Sequence, residues 1–173
     1  MASINGISLK AAKCFKSMER PDWQGNIYVG TKKVAFWSQS RSGFDWIDMV
    51  DGYSSEKLFE AMKPYVDKKS VELNTILESF MDKLLCLKDD EAEFKKMMKK
   101  EYKAMLVLSD GYHVKYYCYP EVPKESAEEL YAQASYESKN LFFKDAKITH
   151  RFYKGLEDFV IGGNLSPDNI KND

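Results

Sequence analysis

The 173 residues include only two histidines and three cysteines, little for soft-metal or thiol chemistry. Cys14, Cys86 and Cys118 are far apart, odd in number and in no CxxC or Cys/His spacing. That speaks against structural zinc, fits a reducing cytoplasm, and makes the three read as small buried hydrophobes. Neither a G-x-G-x-x-G nor a G-x-x-x-x-G-K-[ST] stretch occurs, and Gly162-Gly163 opens no helix, so nucleotide binding has no support. No run approaches the ~20 apolar residues of a membrane span. The start, "MASINGISLKAAKCF", lacks the apolar core of a signal peptide. No cofactor, metal or membrane is expected, and nothing in the chain sets an oligomeric state.

What is present suits a folded domain. The chain is 44% hydrophobic, 14% aromatic and 31% charged, enough for a core and a solvated surface. Net charge is −1, so no global field draws it to nucleic acid. The charge is nonetheless uneven: +5 over 1–43, −7 over 44–94, +4 over 95–103 and −3 over 104–173. Solvated faces account for such runs in the first instance.

The pattern predicts an α+β fold. Residues 1–43 read as a three-stranded antiparallel meander, with "NIYV" and "VAFWSQ" joined by a turn at Gly30-Thr31-Lys32-Lys33. Residues 54–103 read as helical. Ser54 caps a first helix that Pro64 ends. Leu73, Ile76, Leu77, Phe80, Leu84 and Leu87 mark a second, which Ser70 would cap, and Asp89-Asp90 would start a third. Residues 104–161 read as a hairpin about Asp110-Gly111, a helix capped by Ser126 with Glu129, and a strand in "AKITHRFY". The whole is expected to form one compact domain over 1–165, with 166–173 a flexible tail.

Candidate chemistry is sparse, and no catalytic residue is assigned. His113 follows the second turn. His150 shares a strand face with Ile148 and Phe152, which favours a partly buried histidine over a general base. Asp45, Asp48 and Asp51 could meet on one helical face to hold magnesium, or simply line a loop. Lys95, Lys96, Lys99, Lys100 and Lys103 would form one basic helical stripe, with Lys96 and Lys100 as phosphate contacts or as a solvated face. Tyr112, Tyr116, Tyr117 and Tyr119 could stack bases or fill a core. The best binding candidate is the first hairpin. Simple alternation turns Val34 and Phe36 inward and Trp37 and Gln39 outward, bracketed by Lys32, Lys33 and Arg41. Tryptophan and arginine dominate interface hot spots, and tryptophan beside cations suits protein or nucleic acid.

"LKAAKCFKSME" followed by "GNIYVGTKKVAFWSQ" resembles a group of small proteins encoded by phages and other mobile elements of bacteria. The residues that carry the resemblance are Leu9, Lys10, Lys13, Phe15, Gly25, Asn26, Tyr28, Lys32, Lys33, Phe36, Trp37, Ser38 and Gln39, about the first quarter of the chain. Where those proteins have an acidic, glycine-rich loop after "SQ", this chain has Ser40-Arg41-Ser42-Gly43. Some proteins of this kind are similar to anti-CRISPR proteins. The resemblance implies a non-enzymatic inhibitor in the bacterial cytoplasm that binds a Cas9–guide RNA complex, its acidic 44–94 region standing in for phosphates. Two alternatives are an RNA-trimming nuclease using His113 and His150, and a nucleic-acid-binding module without catalysis.

Overall fold

The computed structural model describes residues 1–16, 21–39, 45–66, 72–111, 113–138 and 147–172. The fold is α+β. The chain divides into two compact units, Met1–Lys88 with Val160–Asp173, and Asp89–Phe159.

The first unit is built on a six-stranded sheet. Its strands are β1 (Ser3–Ile4), β2 (Ile7–Lys16), β3 (Pro21–Val29), β4 (Lys32–Gln39) and β5 (Asp45–Met49), with β9 (Val160–Ile161) from the end of the chain. The order is β5-β4-β3-β2-β1-β9, and β9 runs parallel to β1. The expected meander is there, extended by strands at both edges. The turn between β1 and β2 is Asn5-Gly6, with φ of +52° and +73°. Positive φ at both central residues is what an Asn-Gly hairpin turn needs. A Cβ at Gly6 would also lie 2.8 Å from the Leu165 nitrogen. Between β3 and β4 the two-residue turn is Gly30-Thr31, because Val29 already pairs with Lys32.

Two irregularities set which side chains face which way. In β2 the pairing with β3 jumps between Lys10 and Lys13, and Ala11 has φ +51°. In β4, Tyr28 pairs with Lys33 but Ile27 with Ala35, so Val34 is an extra residue. Each bulge shifts the alternation by one residue. Ile7, Leu9, Ile27, Val29, Val34, Ala35 and Trp37 are consequently all buried. Gly25 fits because a Cβ there would lie 2.8 Å from Leu9 Cδ1.

Helix α1 (Ser55–Met62) begins as predicted, with the Ser54 hydroxyl accepting the Lys57 amide at 3.3 Å. Pro64 follows in a 3-10 turn. The α1 residues Leu58, Phe59 and Met62 are buried. So are Ile76, Leu77, Phe80, Met81 and Leu84 of α2 (Leu73–Met98). Ser70, the expected cap of that helix, lies outside the described residues. No new helix starts at Asp89-Asp90: α2 is continuous through them. Asp90 falls on the stripe of Leu87 and Phe94, and the stripe continues because that aspartate is buried with partners.

The expected frayed tail is instead docked. Pro167–Ile170 forms a 3-10 helix with Ser166 as cap and Asn169 closing a capping box. Ile170 is buried, its carbonyl accepts the Ser54 amide at 2.8 Å, and Tyr53 bridges to Lys171. One buried isoleucine and a satisfied helix start outweigh the local Gly/Pro/Asn composition.

The second unit is a three-stranded antiparallel sheet, β7 (Val114–Tyr119), β6 (Ala104–Ser109) and β8 (Thr149–Tyr153), with β6 central and fully buried. On one face Leu106 and Leu108 join Leu130 and Ala134 of α3 (Ala127–Ser138), and Tyr117, Tyr119, Ile148 and Phe152 pack against them. The other face carries Met105 and Val107 of β6 with Tyr116, Cys118, Arg151 and Tyr153. The α3 capping box forms as predicted, the Ser126 hydroxyl accepting the Glu129 amide and the Glu129 carboxylate the Ser126 amide.

Candidate binding face and its surroundings

The outer face of the first unit's sheet follows from the register. Lys13, Gln24, Ser38 and Trp46 form one cross-strand row over β2-β3-β4-β5. Lys10, Asn26, Phe36 and Asp48 form the next. Tyr28 with Lys33 continues the surface on one side, and Phe15 with Asp22 on the other. At the usual strand spacing a row of four strands spans about 14 Å.

Trp46 is 68% exposed and Phe15 51%, while Tyr28 and Phe36 are half-buried. The Lys10 ammonium sits over the Tyr28 ring at 4.1 Å. Aromatic rings interleaved with lysines and neutral amides form a surface that can stack flat groups and meet anions together. Lys32 adds a further exposed cation at the turn.

Several expected contacts take other roles. Trp37 faces inward with no exposed surface, and its indole Nε1 donates to Asp45 Oδ2 at 2.7 Å. The Val34 bulge reversed the phase that simple alternation assumed. Gln39 lies on that same inner side, and its side-chain oxygen accepts the Trp23 amide at 3.3 Å. Lys33 faces out, as alternation requires. Arg41 lies outside the described residues. Trp46, the most exposed aromatic of this face, escaped the sequence reading. Its signal was the alternation Asp45-Trp46-Ile47-Asp48-Met49, which reads as a half-buried strand.

The acidic triplet does not share a helical face. Asp45 and Asp48 lie on β5 and point to opposite sides, and Asp51 follows in a turn. Among the described residues no group of three or more His, Cys, Asp or Glu is placed to hold a metal ion.

The lysine stripe is shorter than expected. Helix α2 ends at Met98, and Glu101, with φ +69°, takes the chain out of the helix. Lys99, Lys100 and Lys103 therefore sit past the last helical residue. Lys95 pairs with Glu91 at 2.6 Å and Lys96 with Glu93 at 2.8 Å, so two of the five lysines are already neutralised.

His113 closes a local turn, its amide and Nδ1 both meeting the Asp110 carboxylate, at 2.6 and 3.1 Å. His150 stacks on Tyr131 with ring centres 4.6 Å apart, on the face shared with Ile148 and Phe152. No hydrogen bond joins His150 to a carboxylate among the described residues. Cys14 and Cys86 are exposed and only Cys118 is partly covered, against the reading of all three as buried. Burial, then Glu93, raise the Cys118 pKa. Tyr112 lies outside the described residues.

The strongest electrostatic feature of the second unit is Asp90. It is 1% exposed and accepts from Arg151 Nε at 2.7 Å, from Arg151 Nη2 at 3.3 Å and from the Tyr153 hydroxyl at 2.8 Å. Burial and the Asp90 charge push the Tyr153 hydroxyl well above the ordinary tyrosine range. Burial, with Asp90, Asp89 and Glu93, pushes Tyr116 up to about 12. The group is closed and satisfied, so it reads as a clamp between helix and sheet rather than as an open site.

Comparison with family models, curated proteins and solved structures returns no match to this chain. Among the described residues, no helix is long and apolar enough to cross a membrane.

Proposed function

We propose that the chain is a binding protein whose outer sheet face in the first unit takes single-stranded nucleic acid. The target implied by the resemblance of its first strands is the guide RNA of a bacterial Cas9 complex, which binding would inhibit in the cytoplasm. The observation that carries the reading is the pair of cross-strand rows, Lys13-Gln24-Ser38-Trp46 and Lys10-Asn26-Phe36-Asp48. Exposed rings supply stacking, which is sequence-tolerant because every base has a π-face. Lysines supply phosphate contacts, and Gln24, Asn26 and Ser38 can bond base edges. Asp48 and Asp22 on the same face moderate the positive charge, so stacking must carry more of the affinity than phosphate contacts do.

The test has two arms. Fluorescence anisotropy with single-stranded RNA and DNA should show binding that weakens with salt and with Trp46→Ala. Cas9 cleavage of target DNA should fall when the chain is added to the assembled complex. Absence of oligonucleotide binding rejects the sheet-face reading. Unchanged cleavage at large molar excess rejects the anti-CRISPR target.

A further inference from the structure

Stacking on the outer face of the first unit's sheet accepts any base, so a preference must come from the polar groups around each ring. Phe36 has an amide on one side and a carboxylate on the other. Asn26 faces it from β3 and Asp48 from β5, each directly opposite in the register. Trp46 stands two residues before Asp48, on the same side of β5. Asp48 is exposed, and among the described residues neither its carboxylate nor the Asn26 side-chain amide has a hydrogen-bond or ion-pair partner. Two strand spacings, about 10 Å, separate Asn26 from Asp48, so one flat base resting on Phe36 reaches both.

We infer that this position selects guanine, with Asp48 as the residue that reads it. The inference rests on the single-stranded nucleic-acid reading of this face. A carboxylate only accepts hydrogen bonds, and its two oxygens take two parallel donors. Among the four RNA bases, guanine alone carries two adjacent donors, N1–H and N2–H, on its Watson–Crick edge. Adenine and cytosine set a ring-nitrogen lone pair beside their amino group, and uracil flanks its one N–H with two carbonyls. Each of those three therefore turns a lone pair on a carboxylate oxygen. The far edge of guanine, O6 and N7, accepts, and the Asn26 amide can donate to it. Donor, ring and acceptor on the protein meet acceptor, ring and donor on the base. An arginine of a partner protein shares the paired donors, but it brings a cation to a face that already holds Lys10, Lys13 and Lys33. A nucleotide brings phosphate to those lysines instead.

The experiment titrates the full chain into four fluorescein-labelled RNA heptamers, UUUGUUU, UUUAUUU, UUUCUUU and UUUUUUU, and reads anisotropy. The guanine heptamer should bind about tenfold tighter than the others, the discrimination of one good bidentate pair. Inosine in place of guanine, which lacks only the N2 amino group, should lose most of that preference. Asp48→Asn should bring the four heptamers within about twofold of one another, because the preference comes from the bidentate contact. Removing a negative charge raises affinity for every RNA, so the ratio between heptamers is the readout. Asp48 is exposed, and an unchanged urea melt checks that the variant remains folded. Equal binding of the four heptamers, or a guanine preference that survives Asp48→Asn, would overturn the inference and leave the sheet-face reading standing. Equal binding together with Asp48-dependent binding of a GRGRG peptide would overturn it by giving the carboxylate to a partner's arginine. No binding of any heptamer would remove both readings.

Discussion

Replacing Asp90 by alanine tests whether the second unit depends on its buried clamp. The substitution removes the acceptor of three hydrogen bonds. Tyr153 is 4% exposed, so its hydroxyl would be left buried without that partner. Arg151 keeps a side chain 31% exposed, so its cation can partly hydrate. Breaking a fully buried pair costs ~3–5 kcal/mol, and the access of Arg151 to water puts this case near the lower end, about 3 kcal/mol. With a urea slope near 2 kcal/mol per M, the midpoint should fall by about 1.5 M. Amide exchange along β6 reports the second unit directly, whereas Trp23, Trp37 and Trp46 all belong to the first. Tyr153→Phe removes one donor and leaves the Arg151 pair. Its cost should be about 1–2 kcal/mol. The double variant should fall short of the sum by at least about 0.5 kcal/mol, as expected for groups in one network. A loss under about 1 kcal/mol for Asp90→Ala, the worth of an ordinary surface pair, would refute the clamp.

Three further outcomes are expected. Stability should decline as pH rises above about 10, the ordinary tyrosine value. Tyr153 and Tyr116 have raised pKa values in the folded chain, so the unfolded chain loses protons first and is favoured at alkaline pH. A pH series of urea melts should show a shallower decline in Tyr153→Phe, and an identical one would contradict it. Ile170→Ala should lower stability by ~2–4 kcal/mol in a thermal or urea melt, as for a buried aliphatic truncation. A change within about 0.5 kcal/mol would mark the docked end as a surface feature. Trp46→Ala should leave the melt nearly unchanged, because the side chain is mostly exposed. It should nonetheless weaken single-stranded RNA binding by ~1–3 kcal/mol if one base stacks there; equal affinity of the two proteins counts against the sheet face.

Elements with strong local chemistry were legible in the sequence. Ser54 and the Ser126/Glu129 box start their helices as read, and the hairpin strands lie where β-branched and aromatic residues cluster. The failures came where a distant partner overrode local preference. Asp89-Asp90 reads as a helix start because carboxylates favour N-termini, yet Arg151 and Tyr153, some sixty residues away, satisfy Asp90 inside the helix. The closing Gly/Pro/Asn stretch reads as frayed because composition cannot show that Ile170 finds a buried place and Ser54 a carbonyl.

The candidate face failed for a subtler reason. "VAFW" is apolar at every position, so no polar residue marks the phase, and one extra residue reverses it. Hydrogen bonding resolves the ambiguity. A buried indole needs an acceptor, whereas an exposed one is served by water. Asp45 meets that need from the next strand because Gln39 pairs with Asp45 and Trp37 with Ile47. The same pairing turns Trp46 and Phe36 outward together. Aromatic content alone therefore could not separate core from grip in this sheet. The Asp45 carboxylate within reach of the Trp37 indole does, and it exchanges Trp37 for Trp46 as the ring a partner would meet.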